Sequence, residues 1–222
     1  MQKTLLICTI LFIILSAGNC KKPSTPDTPA DTSTYQPTTT GSEWNYTTTG
    51  TTASGPVNTT YKLTATSKDS VANGKTYRVF ANTAGTNEYY IKVGNDYSRI
   101  SGLAGLTQPV EVLYLKSNLT AGATWSEIKT MSFTGIPVPV TVNLTYTVIG
   151  NKYDTSFNGN SFTEVMRIKV KPVITGVTID EDDISFLFAK NVGMISNKVR
   201  LRITLAGMNV NTETKLGVFV IK

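Results

Sequence analysis

No histidine occurs in this 222-residue chain, and only two cysteines do. Without imidazole there is no Ser-His-Asp or Cys-His nucleophile system and no His-ligated metal, and two thiols cannot complete a zinc tetrahedron. No glycine-rich phosphate loop with its lysine is present either. Carboxylates are the remaining acid-base groups, and the fifteen in the chain are scattered singly except at Asp180-Glu181-Asp182-Asp183. That run could offer oxygens to a hard cation, but it lacks the Gly-spaced ligand pattern of calcium loops. It reads instead as a hairpin turn between Val177-Thr178-Ile179 and Ile184-Ser185-Phe186. No catalytic residue, metal site or cofactor is therefore expected, and the chain is not read as an enzyme.

Long apolar runs are absent after the first nineteen residues. Gln2 and Lys3 give a short polar, basic start, residues 5 to 15 form an apolar stretch, and Ser16, Ala17 and Gly18 are small. This is the pattern of an export leader, since a stable membrane-spanning helix needs roughly 20 apolar residues. The leader ends Ala17-Gly18-Asn19-Cys20, which resembles the lipobox of bacterial lipoproteins. There small residues precede a cysteine that is diacylated and becomes the new N-terminus. Asn19 departs from the usual Gly or Ala. The resemblance makes Cys20 the lipidation site and residues 1–19 a signal peptide. Cys8 leaves with the leader, so Cys20 has no disulfide partner and the domain must be held by its core.

Residues 21 to 41 are mostly Pro, Thr, Ser and Asp with few apolar side chains, too few to offset the entropy of ordering. With Cys20 they read as a lipidated, disordered tether, residues 20–41, whose root-mean-square reach is about 25 Å. Residues 42–222 read as one all-β antiparallel domain of about a dozen short strands, in a sandwich or a strongly curved sheet. Tyr, Val, Ile, Thr and Phe dominate, and alternation is common in residues 61 to 66, 88 to 93, 138 to 149, 162 to 170 and 198 to 205. Asn73-Gly74, Gly94-Asn95-Asp96 and Asn158-Gly159 are hairpin signals. A domain near this size can bury about 70% of its unfolded surface. The chain also reads as two weakly similar halves. Trp44 and Trp125 each follow a Gly by three residues, and an offset of 85 residues matches Gly74 with Gly159, Tyr61 with Tyr146, Leu63 with Val148 and Tyr77 with Phe162.

The Gly-x-x-Trp opening, the second Gly-Ala-Thr-Trp after Leu113-Tyr114-Leu115, Asn-Gly-Asn-Ser-Phe-Thr-Glu-Val, and the run from Phe188 through Lys190 and Gly193 to Ile195 carry a resemblance. Together they resemble envelope lipoproteins of Bacteroidota similar to the DUF3108-like group. That group implies no established activity to carry over.

The formal net charge of +6 is mild and, without a recognition motif, does not point to nucleic acid. Two strands nevertheless carry a basic face. Arg167, Lys169 and Lys171 alternate with Ile168 and Val170, while Lys198, Arg200 and Arg202 alternate with Val199, Leu201 and Ile203, so each set projects from one side of its strand. On neighbouring strands these six would make one anion-binding patch for anionic lipid or acidic polysaccharide; otherwise they are a solvated sheet face. Trp44, Trp125, Tyr77, Tyr89, Tyr90, Tyr97 and Tyr114 could line a sugar or lipid cleft, although a β domain without disulfides needs most of them as buried area.

Three functions are open at this point. The first is a non-catalytic binding or scaffold module in the cell envelope. The second is a carrier whose curved sheet holds a lipid or other apolar molecule. The third is a carboxylate-based hydrolase, which needs converging acids. Lys21 and Lys22 lack the aspartate associated with inner-membrane retention, which by resemblance favours the outer membrane, with the membrane itself as partner through the N-terminal lipid. Two or more acyl chains make a stable anchor where one is marginal. Cys20→Ser is accordingly expected to move the protein from the membrane fraction to the soluble envelope fraction. Retention on membranes after a high-salt wash would show that lipid is not the anchor.

Overall fold

Alternating β-branched, aromatic and polar residues favour extended backbone wherever one side of a strand can be buried. The computed structural model describes residues 34–101, 106–133 and 138–222, and within them that alternation becomes a single antiparallel sheet. The leader, Cys20 and the tether up to residue 33 lie outside the described residues. In chain order the strands are β1 (Glu43–Thr52), β2 (Gly55–Ala72), β3 (Lys75–Asn82), β4 (Glu88–Val93), β5 (Asp96–Ser101), β6 (Val110–Lys116), β7 (Thr124–Met131), β8 (Val140–Phe157), β9 (Asn160–Ile174), β10 (Glu181–Ala189), β11 (Gly193–Ile203) and β12 (Met208–Val220). A 3-10 turn, Thr204–Ala206, links the last two.

The strand order is β6-β5-β4-β3-β2-β1-β12-β11-β10-β9-β8-β7, so each half of the chain is a six-stranded meander and the first strand pairs with the last. The sheet curves until it is nearly closed into a barrel. The halves correspond in build. Trp44 stands on β1 and Trp125 on β7, each followed by an 18-residue strand. The two long strands end in equivalent hairpins, where Asn73 and Gly74 have φ of 51° and 71° and Asn158 and Gly159 have φ of 50° and 75°. Positive φ at both central residues is the two-residue turn whose twist suits antiparallel strands, and Asn-Gly adopts it at least cost.

The two remaining edges, β6 and β7, face each other without a regular ladder. Side chains of β7 take the place of a neighbouring backbone: Trp125 Nε1 donates to the Leu113 carbonyl (3.0 Å), and Glu127 Oε2 accepts from the Leu113 amide (2.8 Å) and from Tyr146 Oη (3.3 Å). One isolated bridge, Leu106 with Phe133, continues the seam, supported by the Thr107 amide donating to Ser132 O at 2.9 Å.

The halves of the barrel interior differ in content. At the end where β1 begins, Trp44, Phe80, Tyr90, Tyr97, Phe162, Phe188 and Leu216 are buried in one large cluster, and fully burying such side chains stabilises by roughly 1.5–3 kcal/mol each. At the other end Met131, Phe133, Val142, Ile174 and Ile203 form a second, smaller cluster.

Residues 34 to 41, assigned to the tether by composition, pack against the aromatic end. Tyr35 is buried, its hydroxyl donates to Glu164 O (2.8 Å) and its amide to Tyr97 Oη (3.2 Å). The Gly41 amide donates to Ala65 O at 2.8 Å. One aromatic ring with a satisfied hydroxyl outweighs the polar residues around it. The acidic run also differs from its expected turn. The chain bends at Thr175-Gly176, and Glu181, Asp182 and Asp183 open β10, where two of them meet cations of β11.

The seam generates a prediction. Glu127→Ala leaves the part-buried Leu113 amide and Tyr146 hydroxyl without an acceptor, which should cost about 1–3 kcal/mol in urea unfolding and speed hydrogen exchange at Leu113. An unchanged midpoint and unchanged exchange would mean that the seam does not depend on this carboxylate.

Candidate ligand-binding cavity

Inward-facing positions toward the less aromatic end carry mostly Val, Ile, Leu, Met and Thr, and beside the second cluster they do not fill the interior. They leave a cavity of about 320 Å³, within the range of small-molecule sites. Its walls come from every part of the sheet except β1 and β3. Val112 is contributed by β6, Val142 and Leu144 by β8, Val170 and Ile174 by β9, Ile184 and Phe186 by β10, Val199 and Leu201 by β11, and Val210 and Thr212 by β12.

Curvature beside the cavity depends on Gly50 of β1, opposite Thr212. With φ of 139° it lies where L side chains are strained, and a Cβ there would strike the Asn211 carbonyl oxygen.

The cavity floor, where it meets the aromatic cluster, is polar. Glu88 on β4 and Arg99 on β5 both line it, with side chains only 14% and 13% exposed. Arg99 Nη1 is 4.0 Å from Glu88 Oε2, the outer limit of an ion pair. Glu88 accepts instead from Tyr90 Oη (2.6 Å) and Asn82 Nδ2 (3.1 Å). The guanidinium carbon lies 5.9 Å from the Tyr114 ring centroid and 5.8 Å from that of Phe186, a cation-π arrangement that partly compensates a desolvated charge. Desolvation works against the Arg99 charge, but Tyr90, Glu88 and Tyr114 outweigh it and raise its pKa. Burial, reinforced by Glu88, lifts the Tyr61 phenol to about 12 and raises Tyr90 well above its usual value. Tyr114 is raised chiefly by burial, and Tyr146 by burial and Glu127. The floor therefore presents one held cation, one hydrogen-bonded carboxylate and protonated phenols.

Three floor atoms have no hydrogen-bond partner among the described residues: Arg99 Nε, Tyr114 Oη and Asn197 Oδ1. Orphaned polar groups inside a fold are uncommon and call for an explanation.

Of the aromatics considered from sequence, Trp44, Tyr77, Tyr90, Tyr97 and Tyr114 are buried, and among these Tyr114 lines the cavity, together with Tyr61 and Tyr146. Glu88 and Arg99 escaped the sequence reading. Their signal was a charge two residues from a tyrosine on the same strand face, Glu88 with Tyr90 and Tyr97 with Arg99, at positions that alternation assigns to the core.

The basic residues lie elsewhere, on the outer surface. Arg167, Lys169 and Lys171 are exposed on β9, and Lys198, Arg200 and Arg202 face outward from β11. The two strands share a sheet but β10 runs between them. It brings Asp183 to Lys198 (Oδ2 to Nζ, 2.7 Å) and Glu181 to Arg200 (Oε1 to Nε, 3.3 Å). The six cations thus share one face, with acids inserted among them. Cys20 lies outside the described residues. Among the described residues no cluster of His, Cys, Asp or Glu suits a metal ion, and no helix is long and apolar enough to cross a membrane.

No protein-family model, curated protein or solved structure matches the chain.

The buried phenols make stability depend on alkaline pH. Tyr61 and Tyr35 hold their protons to about 12 in the fold against 10.0 for the free group, so between these values the folded state binds more protons than the unfolded one. Their contribution is fully present below pH 10 and is lost as pH rises toward 12. Tyrosinate absorbance should rise together with loss of near-ultraviolet circular dichroism. A smooth titration of all tyrosines near 10 with the fold intact would contradict this burial.

Proposed function

We propose that this protein is a lipid-anchored envelope lipoprotein that carries a lipid or other apolar molecule inside its barrel and performs no covalent chemistry. The observation that carries the reading is the apolar cavity of about 320 Å³ within a sheet whose other half is densely filled. Apolar walls left in contact with water forgo the gain that burying them would bring, a cost that grows with the apolar area exposed. A ligand occupying the cavity offsets that cost by mass action. A scaffold module with no ligand would have no use for the space. The lipobox-like Ala17-Gly18-Asn19-Cys20 and the Pro- and Thr-rich segment after it support anchorage at the membrane that would supply such a ligand, with the outer membrane as the expected site.

The test is to purify the full chain from its native membrane fraction, extract it with organic solvent, and analyse the extract by mass spectrometry. Extraction removes non-covalent lipid and leaves acyl groups on the protein. A near-stoichiometric apolar species, depleted in Val210→Trp, which fills the cavity, is the expected result. An extract no richer in lipid than that of Val210→Trp would overturn the carrier reading.

A further inference from the structure

The floor of the cavity holds more hydrogen-bonding capacity than the described residues use. Among the described residues Arg99 Nε and Tyr114 Oη are donors without acceptors and Asn197 Oδ1 is unpaired, Asn197 standing opposite Phe186, over whose ring Arg99 lies. They come from β5, β6 and β11 and line one space. Tyr114 is only 5% exposed, so solvent at the protein surface does not satisfy it. Arg99 stands over the Tyr114 ring at 5.9 Å, which puts both free donors in one patch. Glu88 does not saturate the guanidinium, because it is 4.0 Å away and gives its oxygens to Tyr90 and Asn82. Above this patch the wall is apolar. On β11 the inward residues run Asn197, Val199, Leu201, Ile203, a path of about 20 Å at the rise of an antiparallel strand.

Resting on the carrier reading, we propose that the ligand is a single-chain amphiphile with a carboxylate head, a long-chain fatty acid, bound head-down on Arg99 and Tyr114 with its chain along the β11 wall toward Ile203. The chemistry selects a carboxylate. It accepts without donating, and it meets a guanidinium edge in a two-point fork, leaving a further lone pair for the Tyr114 hydroxyl. An alcohol head has two lone pairs for the same donors, but its single neutral oxygen can neither form the two-point fork nor pair with the guanidinium charge. The Asn197 amide reaches the same head by turning its N–H inward, an orientation that hydrogen bonding decides.

The experiment uses the full chain carrying Cys20→Ser, so that no covalent acyl group competes for the cavity, and the neutral fluorophore N-phenyl-1-naphthylamine as probe. Hexadecanoate, methyl hexadecanoate and hexadecanol are compared as displacing ligands. Hexadecanoate should displace at a concentration at least about tenfold lower than the other two, as a hydrogen bond to a charged group implies. Tyr114→Phe should narrow that preference and Arg99→Gln should abolish it. Because Arg99→Gln leaves Glu88 buried without its cation, the double variant Arg99→Gln, Glu88→Gln removes both charges and should also bind the three ligands alike. Equal displacement by all three in the unsubstituted cavity, or a preference that survives the double variant, overturns the carboxylate assignment while the carrier reading stands. A probe that does not bind, or one that binds and that none of the three displaces, overturns both.

Discussion

The ladder between β1 and β12 determines what the rest of the sheet must do. It runs from Glu43 opposite Val220 to Thr52 opposite Val210 and joins two meanders that would otherwise each expose an edge of unpaired amides and carbonyls. Once first and last strands are paired, twelve strands must curve, and the remaining edges are carried round to meet. Curvature is accommodated at Gly50, where a side chain would collide with the next strand, and in register shifts such as those between Val148 and Tyr153 of β8. Where β6 and β7 meet, regular pairing gives out, and Trp125 and Glu127 serve the Leu113 backbone from the side. A side-chain clasp satisfies the same groups as a ladder but ties them at fewer points, so the β6–β7 seam is the weakest line in the wall.

A twelve-stranded ring encloses more space than small side chains fill. The chain fills one end with large aromatics, where Trp44 packs on Phe80 at 5.6 Å and Phe80 on Tyr90 at 4.6 Å, and closes it with Tyr35 and its neighbours. The other end is lined by smaller residues and stays open inside. At the boundary the phenols of Tyr61, Tyr90 and Tyr114 need polar company, which Glu88 and Arg99 provide in part. The hollow and its polar floor are thus two consequences of one change in side-chain size along the barrel axis.

The outer surface follows a different rule. Alternation forces the cations of β9 and β11 outward, and the strand between them sets acids beside two of the six. Exposed pairs of this kind contribute little to stability, about 0–1 kcal/mol each. They divide what would have been a uniformly positive strip into a face of mixed sign.

Sequence alone was enough for the local features, because local chemistry decides them. Alternation marked the strands, Asn73-Gly74 and Asn158-Gly159 marked their hairpins, and the two tryptophans with the 85-residue offset marked the halves. The binding candidates on β9 and β11 were correctly turned outward for the same reason. The cavity and its floor were not legible. Arg99 shares a strand face with Tyr97, but what that face meets is decided only by the strands that come round from the far half, bringing Phe186 and Asn197. The acids set among the six cations depend likewise on β10 lying between β9 and β11. The order on residues 34 to 41 depends on Tyr35 finding Tyr97 and Glu164, which are 62 and 129 positions away. Periodicity tells a residue which side of its strand it occupies; what lies on that side is decided by closure of the sheet, which brings together residues that no local pattern connects.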